Sequence, residues 1–216
     1  MSLRLYGYWR SSAAYRVRIA LNYKGLEWES IPKHLTRGGG EHLAPDYLAH
    51  NPQGLVPTLA DGEFMLAQSL AIVEYLDETR PAPPLLPADP QSRATVRAMA
   101  LAIACDIHPL NNLRVLQYLR RELGADEETV TRWIRHWIAQ GFTALEAWIV
   151  RHSTDGRHCF GATVTVADVC LVPQVYNARR FALDLAPWPR LVAVAASLEA
   201  LPAFAAARPE LQPDAE

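Results

Sequence analysis

Cysteine is scarce in this chain of 216 residues, and its spacing indicates no cysteine chemistry. The three cysteines, Cys105, Cys159 and Cys170, are odd in number and far apart, which argues against the disulfide framework of a small secreted protein. They form no CxxC pair, and the seven histidines form no HxxxH or HExxH pattern. We therefore expect no redox disulfide, no zinc site and no other bound metal.

An excess of charge and a long apolar run are also missing. The chain has 21 Lys and Arg against 23 Asp and Glu, a formal net charge of -2, which argues against a dedicated nucleic-acid-binding protein. No apolar run approaches the roughly 20 residues that span a bilayer, and the first four residues do not resemble a signal peptide. We expect a cytoplasmic protein with no nucleic-acid or membrane partner. The absence of a GxSxG motif argues against a serine hydrolase.

The composition is that of a globular protein, with 50% hydrophobic and 20% charged residues. One segment stands out: PAPPLLPADP (81–90) has five prolines in ten residues. Proline fixes its own φ and has no N–H to donate, so this segment is predicted to be a stiff connector. We expect one domain over 1–82, a linker over 83–89 and a second domain over 90–216.

The pattern before the linker predicts a mixed α/β domain. Its strand candidates are LRLYGY (3–8), EWESI (27–31), VPTL (56–59) and FML (64–66), with an Asp61-Gly62 hairpin turn between the last two. Ser11 or Ser12 can cap a first helix, and Ser69 can cap a second helix over 70–79. The predicted order is βαβ, then a Gly-rich loop, then ββα.

After the linker the pattern is helical throughout. Asp89-Pro90 is typical of a helix start, and Pro109 is expected to kink the helix that follows. A second long helix is predicted after Asp126, from apolar residues at a 3.6-residue period. The capping-box pattern of Thr165 and Asp168 opens a third helix, and the segment 182–201 supplies the last.

Two of the helix starts could bind an anion. At Arg10-Ser11-Ser12 and at Gln68-Ser69, free backbone N–H groups and the helix dipole favour negative charge. A serine hydroxyl there can donate to a thiolate or a carboxylate. The alternative is that these serines only cap their helices, which is a common role for serine.

Other candidates also allow a plain structural explanation. Val56-Pro57 precedes a strand; a cis bond there would expose backbone groups to a ligand, whereas a trans proline would be an ordinary strand edge. His108 and Asn112 are four residues apart in a polar run that ends near Arg114. This run could line a cleft or form a solvated helix face.

Arg180 lies near the predicted end of the helix that the capping box opens. It could complement the negative end of the helix dipole. If it instead faced a cleft opposite Arg10, the two guanidinium groups could bind a carboxylated ligand.

Taken in order, these pieces resemble the glutathione transferases over nearly the whole chain. RSSAAYRVRIAL (10–21) is similar to the signature of the zeta class, and further matches are NPQGLVPTL (51–59), AQS (67–69), CDIHPLNN (105–112) and TVADVCLVPQV (165–175). The resemblance implies an α/β plus all-α fold: a thioredoxin-like βαβαββα domain that binds glutathione, followed by an all-helical domain that binds substrate.

The zeta class includes the maleylacetoacetate and maleylpyruvate isomerases, which use glutathione as a cofactor that is consumed and regenerated. The resemblance therefore implies a glutathione-dependent cis–trans isomerase in aromatic compound or tyrosine breakdown, acting on a small dicarboxylate. It also implies a homodimer. The alternatives are a transferase or dehalogenase that conjugates glutathione to electrophiles, and a non-enzymatic binding protein on the same scaffold.

The resemblance also assigns roles to residues. Ser11 stabilises the glutathione thiolate, with Ser12 beside it and Arg10 as the third catalytic residue. The remaining glutathione contacts are His42, Val56 through its backbone before a cis Pro57, Gln68, Ser69, His108, Asn112 and Arg114. The substrate carboxylates are assigned to Arg10, Arg114 and Arg180. Ala13 stands where some zeta relatives have cysteine, and Arg114 where some have serine; the added cation favours maleylpyruvate.

Overall fold

The computed structural model describes residues 3–216, which form two units. One unit consists of the chain up to Pro84 together with Leu201–Glu216, and the other is Leu85–Ala200. The break after Pro84 falls inside the proline-rich segment. The last sixteen residues, which the domain prediction placed in the helical domain, pack with the first unit.

A four-stranded mixed sheet organises the first unit. The strands are β1 (Leu3–Gly7), β2 (Trp28–Pro32), β3 (Thr58–Asp61) and β4 (Phe64–Ala67), in the order β2-β1-β3-β4. β1 is parallel to β2 and antiparallel to β3, and β3 and β4 form the predicted hairpin. The helices are α1 (Ser12–Tyr23), α2 (Pro45–Leu48) and α3 (Ser69–Thr79). The thioredoxin-like βαβαββα order is therefore confirmed, and α2 is a short turn of helix in the segment predicted as a loop.

Helix α1 is the buried centre of this unit. Ten of its residues, from Ser12 to Leu21, are buried, and its small residues let α3 approach along one side. The other side contacts α9 (Pro202–Ala206) of the C-terminal segment. Arg18, itself buried, donates from Nε to the Ala207 carbonyl at 3.1 Å. This packing explains why the C-terminal segment belongs to the first unit.

Helices and short turns make up the second unit. The helices are α4 (Pro90–Leu101), α5 (Leu113–Arg121), α6 (Glu127–His152), α7 (Val166–Arg180) and α8 (Pro189–Glu199). The predicted starts at Asp89 and Asp126 are confirmed, since each carboxylate accepts from the backbone three residues on. The capping box of Thr165 and Asp168 is also present, with both of its hydrogen bonds.

The prediction of one kinked helix around Pro109 is wrong. Helix α4 ends at Leu101 and passes into a π-helical turn, Ala102–Ile107, and a 3₁₀ turn, Pro109–Asn111. Proline has no N–H for a helical bond, and the Asn112 amide oxygen accepts from the Arg114 N–H at 3.2 Å, which starts α5 afresh. The polar run is therefore a junction between helices.

Gly141 of α6 is a point of close packing behind this junction. A Cβ on Gly141 would lie 2.2 Å from Ile107 Cδ1 and 2.4 Å from its Cγ1, and Ile107 is fully buried. We expect Gly141→Ala to lower the free energy of unfolding by about 1–3 kcal/mol through overpacking, despite the roughly 1 kcal/mol gain in helix propensity.

Chemical denaturation checks this expectation. The double variant Gly141→Ala/Ile107→Val should recover part of the loss, because valine lacks the Cδ1 that the new methyl group meets. Gln140→Ala, at an exposed neighbouring position of α6, is the matched control and should change stability by less than about 0.5 kcal/mol. A stabilised Gly141→Ala protein would show that Ile107 moves aside at little cost.

Candidate functional site

The strand register gathers seven of the candidate residues at one edge of the sheet. Tyr6, next to the end of β1, lies opposite Thr58, the first residue of β3. Thr58 in turn lies opposite Ala67, the last residue of β4. The segments that continue from these strand ends therefore lie side by side. They contain Arg10, Ser11, Ser12, Val56, Pro57, Gln68 and Ser69.

Ser11 stands at the N-terminus of α1, directly after the loop that follows β1. It is the N-cap residue, and its Oγ accepts from the Ala14 N–H at 3.2 Å. Ser12 is buried at the first position of the helix. Because the cap uses a lone pair of Ser11 Oγ, the hydroxyl proton is still available to donate. The capping role and a donor role are thus compatible in one side chain.

The loop before β3 carries the Val56–Pro57 peptide bond, which is cis, as the resemblance implies. Two buried side chains hold this loop. The Tyr47 hydroxyl donates to the Leu55 carbonyl at 2.6 Å, and Asn51 Nδ2 donates to the same carbonyl at 2.7 Å. Burial raises the pKa of Tyr47, so the phenol keeps the proton that it donates.

Neither Tyr47 nor Asn51 was predicted as a site residue. Both also contact the hydroxyl of Thr58, at 2.8 Å from the Tyr47 oxygen and 3.2 Å from Asn51 Nδ2. The signal that could have found Asn51 is its place at the start of the NPQGLVPTL motif. An Asn-Pro pair favours a turn, and a buried amide there must find partners in the loop.

The start of α3 differs from the capped start that the sequence predicts. Gln68, not Ser69, occupies the N-cap position, and it makes no side-chain cap bond. The Ser69 hydroxyl instead accepts from Nη1 of Arg16 at 3.2 Å. Arg16 is only 1% exposed, so a buried cation lies directly behind this helix N-terminus. A hydroxyl that accepts from a guanidinium has its own proton free to donate to an anion.

The backbone of Gln68 is in an unfavourable conformation, with φ 72° and ψ 113°. Such a conformation in a non-glycine residue costs roughly 1–3 kcal/mol and persists where the surroundings enforce it, often at ligand sites. The Gln68 side chain donates from Nε2 to Oε1 of Gln53 at 2.8 Å. The structure thus holds Gln68 at the sheet edge at a cost in stability.

A pair of substitutions separates this strain from the function of the side chain. Gln68→Gly and Gln68→Ala both remove the amide, but only glycine tolerates the positive φ without a Cβ penalty. We expect the glycine variant to be more stable than the alanine variant by about 1 kcal/mol. Both should lose glutathione affinity to the same extent, measured by calorimetric titration. Equal stability of the two variants would contradict the strain.

His42 lies in a 3₁₀ turn, Glu41–Leu43, of the loop between β2 and α2. Burial lowers the pKa of His42, opposed in part by a hydrogen bond with the His34 backbone, so the imidazole is neutral at pH 7. Its Nδ1 is buried and has no hydrogen-bond partner within residues 3–216. The ring is packed against Gly40, where a Cβ would lie 2.6 Å from His42 Cε1. This nitrogen faces the packed interior of the loop, and a ligand contact of His42 stays a prediction.

The remaining four candidates belong to the second unit. His108 follows the π-helical turn, and Asn112 caps α5 two residues before the exposed Arg114. The indole of Trp133 donates to the Leu110 carbonyl at 2.9 Å and so fixes the segment between His108 and Asn112.

Arg180 is the last residue of α7, in agreement with its predicted place near the end of this helix. It is exposed, and its guanidinium carbon lies 4.9 Å from the centre of the Phe181 ring. The guanidinium group therefore lies over an aromatic ring at the C-terminal end of α7. The structure thus places Arg180 on a different helix from the His108–Arg114 junction.

Over residues 3–216, no three His, Cys, Asp or Glu side chains come together in a group that could hold a metal ion. None of the helices in that range is long and apolar enough to cross a membrane.

Comparisons with known proteins identify the family of the chain. Residues 1–78 match the family model described as glutathione S-transferase, N-terminal domain. The chain is 59% identical over 215 residues to a probable maleylacetoacetate isomerase of Vibrio cholerae, covering 100% of this chain and 99% of that protein. The match to this relative extends through both units.

Solved structures give the same result. A holo maleylpyruvate isomerase, described as a bacterial glutathione S-transferase of the zeta class, is 49% identical with a TM-score of 0.95, covering 99% of this chain and 100% of that one. The maleylacetoacetate isomerase of Methylobacterium extorquens AM1, solved with bound malonate and glutathione, is 42% identical with a TM-score of 0.94 and covers 99% of each chain.

Proposed function

Because the chain belongs to the glutathione transferase family, in the zeta class of the maleylacetoacetate and maleylpyruvate isomerases, we propose that it isomerises maleylacetoacetate or maleylpyruvate with glutathione as cofactor. The observation that carries this proposal is the sheet edge. The register places three strand ends side by side there. The segments next to these ends carry the Ser11 hydroxyl, the Val56 backbone and the Ser69 hydroxyl. Each offers a hydrogen-bonding group of the kind that glutathione requires.

The residues at this edge fit glutathione in their chemistry. The tripeptide has a thiol, a peptide backbone and carboxylates. Ser69 lies at a helix N-terminus and is backed by the buried Arg16 cation, so it suits a carboxylate. The backbone of Val56 suits a peptide group, and His42 is proposed as a further glutathione contact, as the resemblance implies. We assign residues 1–82 to glutathione binding on this basis.

Ser11 acts on the sulfur. Bound glutathione supplies a thiolate that adds to the cis double bond, permits rotation about it and leaves again. Ser11 stabilises that thiolate by donating its hydroxyl proton, while its Oγ accepts from Ala14. The free N–H groups of the first turn of α1 add positive potential, which lowers the pKa of a thiol placed there. Ser12 supports the same helix start from a buried position.

The arginines act on the substrate. A dicarboxylate needs cations at both ends, and guanidinium forks pair with carboxylates in two parallel hydrogen bonds. Arg10, Arg114 and Arg180 are proposed for this role, as the resemblance implies. The same cations stabilise the negative charge that develops on the substrate oxygen during addition. Arg114 favours the smaller substrate, maleylpyruvate. The segment 90–216 is proposed to bind substrate, with His108 and Asn112 completing the glutathione contacts.

We also propose that the protein is cytoplasmic, as its cysteine spacing and composition predict, and that it is a homodimer, as the resemblance implies. Analytical ultracentrifugation measures the assembly directly. A single species of one chain's mass, 24.1 kDa, at micromolar concentration would contradict the dimer.

An absorbance assay that also titrates free thiol tests the proposed reaction. Each substrate is supplied with and without catalytic glutathione. We expect isomerisation that requires glutathione while the thiol concentration stays constant, because the thiolate is released in every cycle. The ratio of the two rates identifies the preferred substrate. Stoichiometric loss of thiol would indicate a conjugating transferase, and the absence of both turnover and glutathione binding would indicate a non-enzymatic protein.

A further inference from the structure

Trp9, the residue before Arg10, is held by the C-terminal segment. Its backbone N–H donates to Oδ2 of Asp214 at 2.9 Å, across 205 residues of sequence. Its backbone carbonyl accepts from Nη2 of Arg18 at 2.9 Å. Arg18 donates in addition to Ala207 of the same C-terminal segment. Both backbone polar groups of Trp9 are therefore tied, directly or through one side chain, to the end of the chain.

The side chain of Trp9 in turn carries Arg10. The guanidinium carbon of Arg10 lies 5.1 Å from the centre of the Trp9 ring and 6.0 Å from that of Tyr8. Trp9 is 8% exposed, whereas Arg10 is exposed. A buried aromatic face thus supports an exposed cation, and the cation–π attraction restricts a side chain that would otherwise sample many rotamers.

We propose that Trp9 and Asp214 are positioning residues for Arg10, which they hold in place to bind a substrate carboxylate. The inference rests on the proposed role of Arg10. Asp214 fixes the Trp9 backbone, the Trp9 ring fixes the guanidinium, and the guanidinium meets the carboxylate with little further loss of freedom. The C-terminal segment, far from the first strand in sequence, thereby contributes to the specificity for dicarboxylates.

The test measures binding of maleate, a small dicarboxylate, by calorimetric titration. The full-length protein is saturated with the thiol-free analogue γ-glutamyl-alanyl-glycine, because the thiolate of glutathione itself would add to the maleate double bond. We expect Trp9→Leu to weaken maleate binding by about two- to fivefold, because leucine fills the space but has no aromatic face. Trp9→Phe should retain most of the affinity. The buried Trp9 Nε1 has no hydrogen-bond partner in the described part of the chain, so phenylalanine breaks no bond.

The double variant decides whether Trp9 acts through Arg10. Arg10→Ala alone should weaken maleate binding by about tenfold or more. Trp9→Leu added to Arg10→Ala should then have no further effect, since the cation that the ring supports is gone. Glutathione affinity, measured on the same proteins, should stay within about twofold throughout. An equal loss from Trp9→Leu in both backgrounds, or a parallel loss of glutathione affinity, overturns the proposal.

Asp214 is tested with two substitutions and a control from the same segment. Asp214→Ala should weaken maleate binding as Trp9→Leu does, and Asp214→Asn should restore it, because the amide oxygen can still accept from Trp9 N–H. Glu216→Ala removes a carboxylate that contacts Arg37 and His34 instead, and it should leave maleate binding unchanged. A loss in Glu216→Ala equal to that in Asp214→Ala would overturn the specific link to Trp9.

These outcomes are independent of turnover. A wild-type protein that binds maleate through Arg10 and Trp9 but isomerises neither substrate would overturn the proposed function and leave the positioning role standing. The opposite result would overturn the positioning role alone. In that case the wild-type protein isomerises a substrate, and the variants Trp9→Leu and Asp214→Ala keep the wild-type maleate affinity and the wild-type KM for substrate.

Discussion

Replacing Ser11 by alanine should reduce isomerase turnover by about 100-fold or more, the usual cost of removing a donor that stabilises negative charge at the reacting atom. The same substitution removes the N-cap bond to Ala14, which should lower the free energy of unfolding by about 0.5–2 kcal/mol. One change therefore affects both activity and stability, because the cap uses a lone pair of the oxygen and the proposed thiolate contact uses its proton.

Two further variants separate the two effects. Ser11→Asp retains a good N-cap acceptor but has no proton to donate and places a negative charge beside the thiolate, so stability should survive while turnover is lost. Ser11→Thr keeps both the lone pair and the proton and should retain much of the turnover. The pH dependence of thiolate absorbance should show a higher pKa for bound glutathione in Ser11→Ala. Full turnover in Ser11→Asp would contradict the donor role.

Replacing Lys24 by methionine should lower the free energy of unfolding by about 3–5 kcal/mol, the range for breaking a buried ion pair by removal of one partner. The Lys24 ammonium group lies 2.8 Å from Asp77 Oδ1, with side chains 0% and 8% exposed. It also donates to the carbonyls of Arg80 and Pro83 at 2.8 and 2.9 Å. The substitution leaves a buried carboxylate and two carbonyls without their donor.

Urea denaturation of four proteins checks this expectation. Lys24→Met/Asp77→Leu should be more stable than Lys24→Met alone, because the buried carboxylate that has lost its lysine is removed as well. Lys33→Met is the matched control: Lys33 pairs with Asp46, whose side chain is 70% exposed, and such surface pairs contribute at most about 1 kcal/mol. A loss in Lys24→Met no larger than in Lys33→Met would show that the buried pair adds nothing to the fold.

Much of the fold could be predicted because its signals are local. Ser11, Asp89, Asp126 and Thr165 each sit next to the helix that they start, so the cap and the apolar period appear together within one short window. The Asp61-Gly62 hairpin is equally local. The prediction was wrong at Pro109, where two local patterns conflict. The helical period of apolar residues continues past this position, but proline cannot propagate a helix.

The candidate site divides in the same way. The two serine-bearing helix starts were found from sequence because a helix N-terminus and its hydroxyl are neighbours along the chain. The strain at Gln68 and the Arg16–Ser69 bond were not found, since both depend on the approach of α3 to α1 across 53 residues. The hydrogen bonds from Tyr47 and Asn51 to the Leu55 carbonyl could not be predicted either. A buried polar group must be hydrogen-bonded, but its partners are the groups that lie near it in the folded protein.

The α/β and helical halves, the helix starts and the motifs of the zeta class could all be predicted from the amino-acid sequence, because propensity, capping and periodicity act over a few residues. Three features emerged only in the folded protein: Leu201–Glu216 joins the first unit, Asp214 reaches Trp9, and a buried arginine lies behind Ser69. These contacts join segments far apart in sequence. They are selected by burial and hydrogen-bond satisfaction in the whole packed unit, and no local pattern encodes them.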